Sequence, residues 1–117
     1  MSISVSLHTE NQVLFINLSG ELDHHTSGQL RNRLNEVMEN SNIKHLVFNL
    51  KQLDFMDSSG IGIILGRYNQ VKKDNGTVMV LGLRPLVKKT FEMSGLSQII
   101  KIIDDEVEAA NVIRGIA

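Results

Sequence analysis

Cysteine and tryptophan are absent from this 117-residue chain, which holds a single proline and a single tyrosine. Without cysteine there is no disulfide framework and no thiolate metal site, a pattern that suits a reducing compartment. Long apolar runs are missing too. IGIILG is among the longest, far short of the roughly 20 residues that span a bilayer. The opening MSISVSLHTE has neither a basic region nor a long apolar core, so no signal peptide is expected. Excess charge of either sign is also lacking, with 12 Lys and Arg against 13 Asp and Glu. That balance gives no electrostatic reason to expect a nucleic-acid backbone as partner. What is present is 42% apolar residues, enough for the core of one packed domain. The expectation is a soluble, cytoplasmic single domain over residues 1–117, with no membrane and no nucleic acid as partner.

Periodicity divides the chain into short elements. ISVSL and VLFINL (13–18) alternate like strands, and the five polar residues HTENQ between them suit an antiparallel hairpin. SGELDHHT ends that pattern. From Thr26 the period becomes helical, with Leu30, Leu34, Val37 and Met38 on one stripe. Thr26 and Gln29 match a capping box, with Asp23 as the competing cap, and Asn40-Ser41-Asn42 stops the helix. IKHLVFNL (43–50) reads as a strand buried on both faces. A second helix follows with Ile61, Ile64, Leu65, Tyr68 and Val71 inward, ending at Asp74-Asn75-Gly76. TVMVLGL (77–83) is a strand, and Pro85 opens a helix that carries Val87, Phe91 and Met93 inward and stops at Gly95. IIKII (99–103) is a short last strand, and Asp104 caps a final helix with acids at its start and Arg114 at its end. The fold class is α/β: a mixed β-sheet with an N-terminal antiparallel hairpin followed by parallel βα units.

In such a sheet the loops after parallel strands gather at one end. GELDHHT and MDSSG are two such loops, and they hold most of the unusual chemistry. His24 and His25 are adjacent, so in a regular helix or strand their side chains diverge; no zinc-ligand spacing is present and no metal site is expected. Gly60, Gly62 and Gly66 form GxGxxxG, close to a dinucleotide fingerprint. The apolar stripe already begins at Ile61, which puts Gly62 and Gly66 inside a helix, where each costs roughly 0.5–1 kcal/mol relative to alanine. Close approach of another backbone, from the sheet below or from a docked partner, would justify that cost. A serine nucleophile needs a base and a pocket, and D-S-S-G lacks the G-x-S-x-G elbow, so enzymatic activity is disfavoured. Asp57 does not fit the phosphorylated acid of a receiver domain, because the acidic pair and the lysine of such a site are missing; a helix cap or loop contact suits it better.

Ser58 and Ser59 remain. One hydroxyl at a helix N-terminus is accounted for by capping, but two serines and a preceding acid are not. An exposed serine there is also a workable phosphorylation site, since the helix dipole favours a phosphate by about 0.3–1 kcal/mol. Asp57 acts in the opposite sense. A doubly charged phosphate about 5 Å away repels its carboxylate by roughly 2 kcal/mol in water and about 6–7 at an effective dielectric of 20. A phosphate here would therefore spare the fold and oppose an interaction.

GELDHHT, LDFMDSSGIGIILGRY and RPLVKKTFEMSGL together resemble an anti-sigma factor antagonist of the STAS type, over essentially the whole chain. GELDHHT and GIGIILGRY bring it nearest to the sporulation members of that family. The resemblance implies a non-enzymatic binding module. Its unmodified form would bind an anti-sigma factor that is also a serine kinase, releasing a sigma factor. The kinase would use ATP to phosphorylate Ser58, and a serine phosphatase would restore the active form; the chain itself would need no cofactor. Asp57, Ser59, Gly60, Ile61 and Gly62 would form the docking surface, with Asp23 from the neighbouring loop meeting a basic residue of the kinase. Glu21, Met56 and Arg67 would extend it.

Overall fold

The computed structural model describes residues 2–116. Its elements are β1 (Ile3–Glu10), β2 (Val13–Leu22), α1 (Ser27–Asn40), β3 (His45–Met56), α2 (Ser58–Lys72), β4 (Thr77–Leu81), α3 (Pro85–Met93), a 3-10 turn (Leu96–Gln98), β5 (Lys101–Ile103) and α4 (Glu106–Ile116). The order is the expected one. The sheet runs β1-β2-β3-β4-β5, with β1 and β2 antiparallel and every later pair parallel.

Strand alternation assigns the two faces. Leu14, Ile16 and Leu18 of β2, Leu46, Phe48 and Leu50 of β3 and Val78 and Val80 of β4 pack with α1, α2 and α3 in the larger core. Val13, Val47, Met79, Leu81 and Ile103 point the other way and meet Ala109 of α4. The strands are added in one direction across the sheet, so right-handed crossovers put α1, α2 and α3 on the same side. α4 follows the last strand and is free to cover the other. It covers only the apolar part of that side. Ser4, Ser6, Asn17, Ser19, Asn49 and Gln52 line a shallow depression on the rest.

Several local expectations are corrected. The hairpin is tighter than five residues: Glu10 pairs with Val13, and the two-residue turn has Asn11 and Gln12 both left-handed, at φ 49° and 69°. Such a turn matches the twist of the flanking strands. β2 runs on to Leu22, past the SGE segment read as a terminator. Gly20 makes this possible: its φ is +96°, and a Cβ there would lie 2.4 Å from the carbonyl oxygen of Ser2. The β2–β3 register also shifts beside it. Met93 is 79% exposed and does not face the core, whereas Val87 and Phe91 do. The cap of α4 is Asp105, whose Oδ1 accepts the Glu108 N–H at 2.8 Å, while the Glu108 carboxylate accepts the N–H of Asp104. Gly95, at φ +84°, ends α3 as expected.

Candidate functional site

β2 and β3 end side by side, with Leu22 paired to Met56, so the loops that follow them are held together. The Asp57 N–H donates to the Leu22 carbonyl at 3.1 Å. The Asp57 carboxylate then works in two directions. Oδ1 accepts the Ser59 N–H at 2.8 Å and caps α2, and Oδ2 accepts the His24 N–H at 3.3 Å across the gap between the loops. The cap is thus Asp57, not one of the two serines. Ser58 is the first residue of α2 and is exposed; Ser59, the second, is half-buried.

The other loop is latched by Thr26 and Asp23. Oδ1 of Asp23 accepts the N–H groups of His25 and Thr26 at 2.9 and 3.0 Å. The Thr26 hydroxyl accepts the Asp23 N–H at 3.0 Å and donates to the Glu21 carbonyl at 2.7 Å. This replaces the Thr26–Gln29 capping box, since the Thr26 side chain makes no cap bond to α1 and Gln29 reaches the Ile3 carbonyl instead. Asp23 is 3% exposed, and its Oδ2 is buried with no hydrogen-bond partner among the described residues. Burial by itself would raise this carboxyl. The two amides, the Thr26 hydroxyl and the charge of His25 outweigh it and hold Asp23 below the usual carboxylate range. His24 and His25 do not diverge: the loop turns between regular elements, and their rings meet at a 38° tilt with centroids 3.9 Å apart. Among the described residues no group of three metal-ligating side chains forms.

Glycine has two uses in α2. Gly60 is buried, and a Cβ there would stand 2.7 Å from Met56 Cγ and 2.9 Å from Leu22 Cδ2, so its absence lets the helix start seat on the two strand ends. At Gly62 and Gly66 a Cβ would meet nothing within 4 Å. The sheet below therefore requires glycine at neither. The inward residues are Gly60, Ile63, Ile64 and Val71, so Ile63 takes the place expected of Leu65, which is 38% exposed. Ser58, Gly62, Leu65 and Asn69 follow one another at helical spacing along the exposed side. That strip carries no charge, begins at Ser58, and has Gly66 and the half-buried Ile61 as flanks.

Of the residues expected at the docking surface, Ser58 and Gly62 are exposed, while Glu21, Asp57, Ser59 and Ile61 are half-buried around them. Met56, Gly60 and Asp23 are buried beneath and position the rest. Arg67 lies apart, on the seam between α1 and α2. Its guanidinium donates to Asn35 Oδ1 at 2.6 Å and to Gln70 at 3.0 Å, and burial followed by the nearby charge of Arg31 lowers its pKa. Asn35 and the Thr26 hydroxyl were missed, because nothing local to either marks its distant or buried role.

The glycines of GxGxxxG lie within α2, whereas a dinucleotide-binding turn places them before the helix. Comparison with known proteins agrees with the other reading. The STAS domain family matches residues 4–109. An anti-sigma F factor antagonist from Paenibacillus polymyxa is 42% identical over 109 residues, 93% of each chain. The structure of the anti-sigma factor antagonist SpoIIAA in its unphosphorylated form superposes with a TM-score of 0.83 at 33% identity, covering 97% of this chain and 99% of that one. The phosphorylated form of the Bacillus cell fate determinant SpoIIAA superposes with a TM-score of 0.73 at 30% identity, covering 93% and 99%. Sequence and fold agree over nearly the full length, and the chain belongs to the STAS-domain family of anti-sigma factor antagonists, regulators that catalyse no reaction of their own.

Proposed function

We propose that this chain binds an anti-sigma factor through the uncharged strip of α2 and the two braced loops at its head, and that phosphorylation of Ser58 switches the binding off. The observation that carries the reading is the place of Ser58. It is exposed, it is the first residue of α2, and it heads the strip Ser58, Gly62, Leu65 and Asn69. A relative in this family has been described in a phosphorylated form, which supports a modification of the same kind here. The anti-sigma factor is also the serine kinase and supplies the ATP chemistry, so the chain needs no cofactor of its own. A serine phosphatase returns the phosphorylated protein to its binding form. The cycle runs in the cytoplasm and ends in release of a sporulation sigma factor. Asp57 helps the switch: a phosphate on Ser58 adds about two negative charges beside a carboxylate, which a docked partner would have to desolvate. Asp23 contributes from beneath, by holding the His25 and Thr26 amides that shape the neighbouring loop.

The test is intact-mass spectrometry after incubation with ATP and the anti-sigma kinase, followed by peptide mapping. A single phosphate on Ser58, absent from Ser58→Ala, is expected, with Ser58→Ala still binding and no longer released by ATP. No phosphate from a kinase active on another substrate would overturn the switch.

A further inference from the structure

We infer that the depression on the sheet face opposite α1, α2 and α3 is a binding site for a small neutral sugar of one or two rings. Six polar side chains from three neighbouring strands line it, and the register sets them in two rows. Ser6 stands beside Asn17 and Asn17 beside Asn49; Ser4 stands beside Ser19 and Ser19 beside Gln52. Two strand spacings by one two-residue step make a grid of roughly 10 by 7 Å. The space above it measures about 250 Å3. A bulge completes the second row. From Asn17 to Ser19 β2 advances by two residues, while β3 advances by three, from Asn49 to Gln52. Simple alternation from Asn49 would turn Gln52 into the core. The extra residue returns it to the outer face, with Leu50 and Leu53 still packed inside. Bulges that re-aim a side chain in this way are over-represented beside functional sites.

The chemistry of the lining selects the occupant. Asn17 and Asn49 are half-buried in the central strands β2 and β3, although asparagine is a poor strand former. Two positions back on the same face, Phe15 and Val47 are apolar and pack in the cluster that α4 covers. Among the described residues the six polar side chains are engaged only once, where Asn49 Oδ1 accepts the Lys51 N–H at 3.0 Å. Their hydroxyls and amides can both donate and accept, as a sugar hydroxyl does. None of the lining residues is charged. A phosphate, carboxylate or ammonium placed here would lose water without gaining a counter-charge, whereas a sugar exchanges its bonds to water for bonds of the same kind. The site is separate from Ser58, since α2 is on the opposite face of the sheet.

Amide chemical-shift titration of the full chain with trehalose tests the inference, with glycine betaine at equal osmolality as the control. A shallow site of neutral hydrogen bonds gives a Kd of about millimolar. Saturable shifts are expected at Ser4, Ser6, Asn17, Ser19, Asn49 and Gln52, with none from betaine. Asn17→Val and Asn49→Val place a good strand former at outward positions and should fold, yet each should weaken binding about tenfold. Gln52→Ala, at an exposed position, should weaken it about threefold. Shifts that rise linearly without saturation, or that betaine reproduces, would overturn the inference. So would saturable binding that the three variants leave unchanged, or tighter binding of glucose 6-phosphate than of trehalose.

Discussion

Replacing Gly62 and Gly66 by alanine separates what the domain needs from what its partner needs. Both glycines are inside α2, and a Cβ at either meets no heavy atom within 4 Å. Each therefore costs the helix roughly 0.5–1 kcal/mol that nothing within the domain recovers, and the double variant should be more stable by about 1–2 kcal/mol. Unfolding entropy of roughly 2.1 cal/mol/K per residue over 117 residues amounts to about 0.25 kcal/mol per degree, so Tm should rise by about 4–8 °C. Gly60 is the internal contrast. An alanine there must displace Met56 or Leu22, which are 2% and 0% exposed, and should destabilise by about 1–3 kcal/mol.

Binding should move the opposite way from stability. The methyl added at Gly62 stands on the strip that starts at Ser58 and that at Gly66 on its flank, where they hold a docked surface away from the helix backbone. Lost packing of about 1–3 kcal/mol corresponds to roughly a 5- to 150-fold weaker complex with the anti-sigma factor. Urea unfolding and calorimetric titration of the same unphosphorylated preparation measure both quantities. A double variant that is stabilised yet binds as tightly as the parent would refute the docking strip. One that gains no stability would refute the claim that the two positions are open.

Three other perturbations have defined outcomes. Burial, then the charge of Lys44, holds the His45 imidazole below its ordinary 6.5, so the unfolded chain takes up the proton first as pH falls. Stability should be flat above pH 6.5 and decline below it; His45→Asn, which can still meet Thr77 Oγ1, should flatten the decline in urea midpoints. Asp23→Asn keeps an acceptor for the His25 and Thr26 amides and should fold, whereas Asp23→Ala should unlatch the loop. Because the folded Asp23 carboxyl is held below 3.8, the stability it contributes is present above pH 3.8 and lost as pH falls through the folded value, a loss missing from Asp23→Asn in acid titrations followed by circular dichroism. Arg67→Ala should cost about 1–2 kcal/mol in urea unfolding, and Arg67→Lys should recover only part of it, since one ammonium cannot reproduce the fork to Asn35 and Gln70.

The element order could be read from periodicity because each strand and helix carries its own apolar repeat. Boundaries failed where an element left the environment that sets the repeat. β3 was expected to stop at Leu50 but continues to Met56. Its pairing with β4 ends at Asn49, and the remainder pairs with β2 alone, so Lys51, Gln52 and Asp54 are exposed and break the apolar run. In α2 the failure had a different cause. Ile61, Ile63, Ile64 and Leu65 surround the helix, and spacing cannot choose between Ile63 and Leu65 when both sides are apolar. That ambiguity was itself the trace of Leu65, the one large apolar side chain on the outward-facing uncharged strip. The paired loops were legible from topology, but their latches were not, because Arg67–Asn35 and His24–Asp57 join residues more than 30 positions apart.

The brace at Asp57 determines what a phosphate on Ser58 can do. A helix N-terminus ordinarily offers an anion its free N–H groups. Here the Ser59 N–H is held by Asp57 Oδ1 and the Gly60 N–H by the Asp57 carbonyl at 3.1 Å. A phosphate could take the Ser59 amide only by displacing a carboxylate that also holds the loop at His24. Remaining outside leaves the cap, the brace and the seat of Gly60 undisturbed, and projects the new charge from the head of the uncharged strip. A phosphate on Ser58 would thus alter the surface a partner meets without drawing on the bonds that maintain the fold. The proposed switch, set by a kinase and reset by a phosphatase, would be served by that separation.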